Sequence, residues 1–272
     1  VESALYLNQF TGTSACPTQG NTPTVASNVT GAIASRSTVT CSALTNFFSS
    51  TTLNATSSIN NNSYVEFSAT AASCYLMNVT KLSFLRSGSG TAPNQLEVRY
   101  STDGFATSTS MNNSALTTTT ATQLTWDFAD FSTPISGTVT FRIYPYGTQR
   151  ADLATGAAAA TGTFRVDDLT IYGSVIIPPP TVVTVTPPTA IAVDSATLSG
   201  NVTSTGGSDV LGNGIVYSST DFTPTLGEPG VIQLANPSPS IGTGSYSVGT
   251  GTVLFANTEY YYNAYANSAQ GY

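Results

Sequence analysis

Apolar and polar residues alternate one by one in short stretches along the first 175 residues of this chain. Side chains of a β-strand point alternately to its two faces, so this period predicts antiparallel strands with one buried face. In one stretch Val139, Phe141 and Ile143 share a face, and the intervening Thr140 and Arg142 share the other. Similar stretches occur at 64–67, 82–84 and 96–100, between turns rich in Gly, Ser and Asn.

Residues that usually cover helix surfaces are nearly absent. The chain has one Lys and five Glu, and charged residues make up 8% of it, against about 25% in an ordinary soluble domain. No stretch repeats apolar residues at helical spacing over three turns. Because 40% of the residues are hydrophobic, the chain can still bury a core. We therefore predict an all-β protein.

Three consecutive prolines, Pro178 to Pro180, mark the clearest boundary in the chain. Proline fixes φ and lacks a backbone donor, so such a run suits a stiff linker better than a sheet interior. We expect a β-sandwich over 1–175, a linker over 176–181 and a second β-sandwich over 182–272, where short strands recur at close spacing.

One strand has an irregular pattern. Phe164 and Val166 share one parity, whereas Leu169 and Ile171 share the other. All four can face the core only if one extra residue is inserted between the pairs, which predicts a β-bulge at Asp167-Asp168.

Charge and hydropathy exclude several partners. The net charge is −7 and the seven cations form no cluster, so a nucleic acid or an anionic membrane surface is not an expected partner. No run of 18 apolar residues occurs, and direct membrane insertion is not expected. The start, Val1 to Leu5, resembles a mature N-terminus left by a signal peptidase, which predicts an extracellular location.

The three cysteines are Cys16, Cys41 and Cys74. A disulfide between Cys16 and Cys41, which bracket a Thr/Ser-rich stretch, is one interpretation for an oxidising compartment. Spacing alone does not determine the pairing, and three buried thiols are the alternative.

Few residues of the sequence are candidates for a catalytic role. There is no His, which excludes Ser-His and Cys-His nucleophiles. A carboxylate pair would have to come from nine Asp and five Glu, and neither Asp127 with Asp130 nor Asp167 with Asp168 lies in a recognisable catalytic motif. We expect a protein that is not an enzyme.

Two kinds of binding site have candidate residues. Carboxylates at a bulge suit calcium, which takes six to eight oxygen ligands; otherwise no cofactor is expected. The calcium candidates are Asp167, Asp168, Asp103 and Glu2, and the alternative is that the Asp side chains cap turns or face solvent. Trp126, Tyr144 and Tyr146 are candidates for a sugar-stacking platform, against the alternative that they are core residues.

The second predicted sandwich resembles fibronectin type III-like modules that are repeated in surface proteins of Bacteroidetes. The resemblance lies in Asp194–Val202, Gly214–Ser218 and the pattern at 254–264. It implies that Tyr260 is a corner tyrosine whose hydroxyl is tied to nearby backbone. Ala256 stands where the family usually has Pro. Asp194-Ser195-Ala196 also resembles the O-glycosylation triplet of these bacteria, with Ser195 as acceptor.

The first predicted sandwich is similar to jelly-roll modules of the same kind of protein, at residues 5–10, 100–105 and 164–173. Such modules occur in adhesins and as appended domains of secreted hydrolases. The resemblance implies export by the type 9 secretion route to the cell surface.

The type III pattern stops one strand early, so the strand around 260–266 would lie beside a vacant sheet edge. Either the chain has been cut there, or a neighbouring subunit donates a strand. Val1–Phe10 is a candidate donor, and the alternative is that it forms the first strand of the jelly roll. We therefore favour an adhesive or filament-forming protein that associates with itself or with neighbouring domains of one surface assembly. The alternative is a carbohydrate-binding module of a secreted hydrolase, with a glycan as partner.

Overall fold

Strands supply all the regular secondary structure of the computed structural model, which describes residues 3–12, 22–115, 120–127 and 134–271, with backbone alone at 112–115 and 127. No helix occurs in these residues, and the all-β prediction is confirmed. The chain divides into two compact units, unit 1 (Val1–Ile176) and unit 2 (Ile177–Tyr272). The division falls at the start of the predicted proline linker.

Unit 1 contains twelve strands among its described residues. They are β1 (Ser3–Asn8), β2 (Thr24–Val25), β3 (Val29–Arg36), β4 (Thr40–Cys41), β5 (Phe48–Thr51), β6 (Val65–Ala71), β7 (Leu76–Gly88), β8 (Pro93–Ser101), β9 (Thr109–Ala115), β10 (Thr122–Asp127), β11 (Thr138–Arg150) and β12 (Phe164–Ile176). A seven-stranded sheet has the order β10-β7-β12-β1-β2, with β5 joined to β12 and β4 joined to β5. A five-stranded sheet has the order β3-β6-β11-β8-β9. Neighbouring strands in both sheets are antiparallel.

The core of unit 1 lies between these two sheets. Tyr6 of the seven-stranded sheet stacks on Phe67 of the five-stranded sheet at 5.7 Å between ring centroids, and Phe67 stacks on Phe141 at 5.6 Å. The predicted inward residues Val139 and Ile143 are completely buried. The observed fold is a β-sandwich, formed because each strand has one apolar face to bury.

The predicted bulge in β12 is confirmed. The register of β12 against β7 shifts between Asp167 and Thr170, and Asp168 has a φ of 50°. The inserted residue restores the inward parity, and Phe164, Val166, Leu169 and Ile171 are all completely buried. The four apolar side chains therefore dictate the irregularity.

β1 is an interior strand of the seven-stranded sheet, between β12 and β2, and its Leu5 and Tyr6 are completely buried. Removing them would open the core of unit 1. The expectation that Val1–Phe10 is donated to another subunit is therefore wrong for the described residues of this segment.

Unit 2 contains six strands among its described residues. They are β13 (Thr181–Thr189), β14 (Thr197–Ser204), β15 (Val210–Ser218), β16 (Ile232–Ala235), β17 (Gly244–Gly249) and β18 (Tyr261–Ser268). They form one sheet with the order β13-β14-β17 and another with the order β16-β15-β18. β16 was not predicted, because four residues are too few for an alternation to stand out in the sequence.

The core of unit 2 is small, and one tyrosine joins its two sheets. The Tyr246 hydroxyl of β17 lies between the carbonyl oxygens of Gly214 and Tyr265, at 2.8 and 2.9 Å. Gly200 of β14 makes room for this ring, because a Cβ at position 200 would lie 2.5 Å from the hydroxyl oxygen. The remaining buried core residues are Leu198, Val202, Val210, Ile215, Val248 and Ala266.

Candidate binding surfaces

The outer side of the five-stranded sheet carries a cluster of charged and aromatic side chains. β11 lies between β6 and β8, and the registers place Arg142 beside Glu66 on one side and Arg99 on the other. The same face includes Glu97 of β8, opposite Tyr144. Because paired residues of antiparallel strands point to the same face, this register determines the cluster.

Arg142 lies at the centre of this cluster. Its Nε donates to Glu66 Oε2 at 2.6 Å, and its guanidinium lies 4.1 Å from the Tyr64 ring centroid and 3.8 Å from the Phe105 ring centroid. Burial lowers the pKa of Arg142, but the hydrogen bond to Glu66 and other contacts outweigh burial and leave the pKa above its ordinary value. The side chain remains 20% exposed. We call Tyr64, Glu66, Phe105 and Arg142 the arginine stack.

A tight loop after β8 holds Phe105 over Arg142. Ser101 Oγ accepts the backbone N–H of Phe105 at 2.9 Å, and the Asp103 carboxylate accepts from the Thr107 backbone and hydroxyl. The bonds that the Asp103 carboxylate accepts, first from the Thr107 hydroxyl and then from the Ser101 hydroxyl, lower the pKa of Asp103 to about 2. Phe105 has a φ of 66°, which is rare for a bulky side chain and is maintained by the bonds around it.

The predicted sugar-stacking platform is not formed. Tyr144 and Tyr146 are only 2% and 4% exposed. Trp126 belongs to the seven-stranded sheet, where it packs against Phe84 of the core at 5.4 Å. The two tyrosines lie on strand β11 of the other sheet, so the three rings share no exposed surface. Tyr144 has the outward parity of Arg142, but it is covered by neighbouring side chains that include the Tyr64 ring, at 5.6 Å between ring centroids.

The predicted calcium ligands are not brought together among the described residues. Asp103 is bonded to its own loop, and Asp167 accepts the N–H groups of Phe10 and Asp168, both at 2.8 Å. Asp168 accepts from Gln9. Within the described part of the chain no three His, Cys, Asp or Glu side chains form a metal-binding group. Glu2 lies outside the described residues.

The cysteines have different states. Cys41 is disulfide-bonded, whereas Cys74 is a free, exposed thiol. Cys16, the partner that we predicted for Cys41, lies outside the described residues. Neither cysteine of the described residues belongs to a cluster that could hold a metal.

A cleft opens at one end of unit 2, and we call it the end cleft. The Tyr260 hydroxyl accepts the backbone N–H of Phe255 at 3.1 Å, which is the backbone tie predicted for the corner tyrosine. Tyr260 also packs edge-on against Tyr217 at 5.8 Å. The cleft has a volume of about 370 Å³, and its lining includes both tyrosines, Phe255 and the half-buried Ser195, the predicted glycosylation acceptor.

A groove runs along the unpaired side of β18. Within the described residues β18 pairs only with β15, and β13 pairs only with β14. The two edge strands lie next to each other: Ala264 N–H donates to Thr184 Oγ1 at 2.9 Å, and the Tyr262 hydroxyl donates to Val185 O at 3.2 Å. The groove has a volume of about 350 Å³. We call it the edge groove.

Both sides of the edge groove are formed by uncharged residues. On one side lie Pro180, Val182 and Thr184. On the other side lies the loop Pro224–Leu226, which is held to β18 by Asn263 Nδ2 donating to Pro224 O at 3.1 Å. The groove therefore has a wall on each side, and its floor is formed by residues 263–266 of β18 together with Val216 of the neighbouring β15.

Sequence reasoning found some of these features and missed others. It anticipated that the strand around 260–266 has a strand partner on one side only, as β18 does among the described residues. It missed the arginine stack, because strand pairing rather than sequence spacing brings Glu66 to Arg142, which are 76 positions apart. The only signal in the sequence was that both residues belong to the outward parity of their strands.

Comparisons with known proteins give no family. No protein family matches the chain, and no curated protein matches it either. Solved structures similar to it include allantoicase, at 6% identity and a TM-score of 0.26 over 78% of this chain and 75% of that one. Another is a β-glucuronidase from glycoside hydrolase family 2, at 9% identity and a TM-score of 0.21. The match covers 78% of this chain and 23% of the glucuronidase.

Among the described residues no helix has the length and apolar character to span a membrane.

Proposed function

We propose that this chain is a non-enzymatic extracellular protein with a structural or adhesive role, and that it joins its neighbours by strand addition at β18. The observation that carries the proposal is the edge groove, in which an unpaired strand edge lies between two uncharged walls. An exposed edge is a template for a further strand, and most proteins cover or charge such edges. Within the described residues, the edge of β18 has no backbone ladder partner and no charged side chain, and Thr184 and Val185 of β13 are bonded to it.

Composition supports a place outside the cell in a surface assembly. Two β-sandwich units with 8% charged residues and a disulfide-bonded Cys41 suit an oxidising compartment. The resemblance to jelly-roll and fibronectin type III-like modules of Bacteroidetes supports export by the type 9 route. The absence of His in the sequence supports a role without catalysis.

Sedimentation velocity of the purified chain over a concentration series tests this function. We expect oligomers whose share grows with concentration. Thr225→Lys places a charge in one wall of the groove, and it should weaken association by at least about tenfold, because the ammonium group would lose hydration on strand addition. Thr223→Lys is the matched control, since Thr223 is exposed in the same loop but does not line the groove. A chain that stays monomeric at all concentrations, or equal effects of both variants, would contradict the proposal.

A second candidate function is carbohydrate binding by unit 1, and the arginine stack is the observation that favours it. Partly exposed aromatic rings beside an Arg and a Glu provide both stacking surfaces and hydrogen-bonding groups for a sugar. A glycan array tests it, and Arg142→Ala should abolish dose-dependent signals. Lys81→Ala is the control, because Lys81 also lies over an aromatic ring, Tyr172, but in the other sheet. An array without any dose-dependent signal would remove this candidate.

A further inference from the structure

One hydrogen bond in the edge groove indicates what kind of segment the groove accepts. The N–H of Ala264 points away from β15 and is bonded to the side chain of Thr184, not to a backbone carbonyl. Backbone groups along a strand point alternately to its two sides. Tyr262 and Ala266 therefore also direct their backbone groups away from β15, and of these two residues Ala266 lines the edge groove.

We propose that the edge groove binds an uncharged, extended peptide segment of another chain as an added strand. In the free protein the Thr184 hydroxyl takes the position that a backbone carbonyl of the added strand would occupy. This inference rests on the proposed function and names the partner of the same site. Backbone hydrogen bonds would supply the affinity, and the side chains on the two walls would supply the selectivity.

The available edge is short. The turn after β18 pairs Gly271 with Ser268 through two backbone bonds, of 2.8 and 3.1 Å. Ser268 has the same parity as Ala264, so its outward groups are already bonded. The segment from Tyr262 to Ala266 is left for an added strand, which matches a peptide of about five residues, the ordinary length of a strand.

The walls determine the chemistry of the peptide. Successive side chains of an added strand would point alternately to Val182 and Thr184 on one wall and to Pro224–Leu226 on the other. The described residues that line the groove include no charged side chain, so a charged group of the peptide would lose hydration there without gaining a partner. Both sets of positions therefore favour small aliphatic or hydroxyl side chains, such as Val and Thr.

The direct test is a titration of the intact 272-residue chain with a capped peptide of alternating Thr and Val, followed by residue-resolved amide hydrogen exchange. We expect saturable binding that slows exchange at Tyr262, Ala264 and Ala266. A peptide of the same length with Lys at every second position is the matched probe, and it should not bind. Protection elsewhere in the chain but not at β18, or equal binding of both peptides, would overturn the proposal.

Two variants test the role of Thr184. Thr184→Val removes the hydroxyl that competes with the peptide carbonyl. The amide of Ala264 should then exchange faster in the free protein, and the peptide should bind about fivefold tighter, the factor that corresponds to one ordinary hydrogen bond. Thr181→Val is the control on the same strand, because the side chain at 181 does not line the groove. Weaker or unchanged peptide binding by Thr184→Val would overturn the placeholder role.

The outcomes separate this inference from the proposed function. If the chain associates in a manner sensitive to Thr225→Lys but binds neither peptide, the partner chemistry inferred for the groove is wrong and assembly stands. If the peptide binds as expected but the chain stays monomeric, the groove accepts a strand and the proposal of assembly between copies fails.

Discussion

Tyr246 and Gly200 form a contact in the core that joins the two sheets of unit 2. The Tyr246 ring crosses the core and its hydroxyl reaches Gly214 and Tyr265 in the opposite sheet. Only a residue without a Cβ fits below the ring, since a Cβ at position 200 would lie 2.5 Å from the hydroxyl oxygen and 2.7 Å from Ala264 Cβ. In a core of so few residues, one such contact is a large share of the stability.

Gly200→Ala should lower the free energy of unfolding of unit 2 by about 1–3 kcal/mol, because the added methyl group displaces the tyrosine ring. Calorimetry or urea unfolding measures the change. Gly249→Ala is the matched control, since a Cβ at position 249 would meet no described atom within 4 Å. A destabilisation by Gly249→Ala as large as that by Gly200→Ala would show that steric crowding is not the cause.

The stability of unit 2 should fall as the pH rises above about 10. Burial raises the pKa of Tyr246 to about 12, whereas an unfolded tyrosine ionises near 10. The folded state therefore retains a proton that the unfolded state releases, and this contribution is lost as the pH passes through the folded pKa. Tyr246→Phe should flatten the fall. A profile unchanged by this substitution would assign the effect to other tyrosines.

At the scale of elements, the bulge in β12 serves both the core and the sheet. The extra residue keeps four apolar side chains inward, and Asp167 Oδ1 accepts the N–H of Phe10, just beyond the end of β1, at 2.8 Å. The Asp167 carboxylate, which the sequence suggested as a calcium ligand, therefore anchors the segment at Phe10 instead. Bulges leave backbone donors unpaired, and a nearby carboxylate is one way to satisfy them.

Asp167→Ala should destabilise unit 1 by about 1–3 kcal/mol, because two backbone N–H groups lose their acceptor. Asp167→Asn keeps an acceptor oxygen and should cost less. Asp168→Asn is a suitable comparison, since the Asp168 carboxylate accepts from the Gln9 side chain at the surface and Asn tolerates the positive φ of this position. Thermal unfolding measures all three, and equal losses for Asp167→Ala and Asp167→Asn would contradict the role of the acceptor.

At the scale of the whole molecule, the balance of charge predicts how assembly responds to salt. The chain carries a net charge of −7, whereas the described residues that line the edge groove are all uncharged. Copies therefore repel one another at long range, but the groove would contribute no ion pair for salt to screen. This combination differs from an interface built on opposite charges.

Association measured by sedimentation should strengthen from low to high salt, because the Debye length shrinks from about 30 Å at 0.01 M to about 3 Å at 1 M. Thr225→Lys is informative here as well, since its effect is local and should persist in high salt. Dissolution of the oligomers by salt would indicate an interface of ion pairs and would argue against the edge groove.

The order of residues was enough to predict the class of fold, the bulge at Asp167-Asp168 and the outward or inward side of most strand residues. These follow from local rules, because a strand places alternate side chains on alternate faces and apolar residues must be buried.

Which strands pair, and what covers each face, became visible in the folded molecule alone. Pairing brings Glu66 to Arg142, separates Trp126 from Tyr144, and places Thr184 on the backbone of Ala264. Such contacts join residues tens of positions apart, and no local pattern records them. The arginine stack and the edge groove are therefore products of register and packing, which the alternation of residues permits but does not specify.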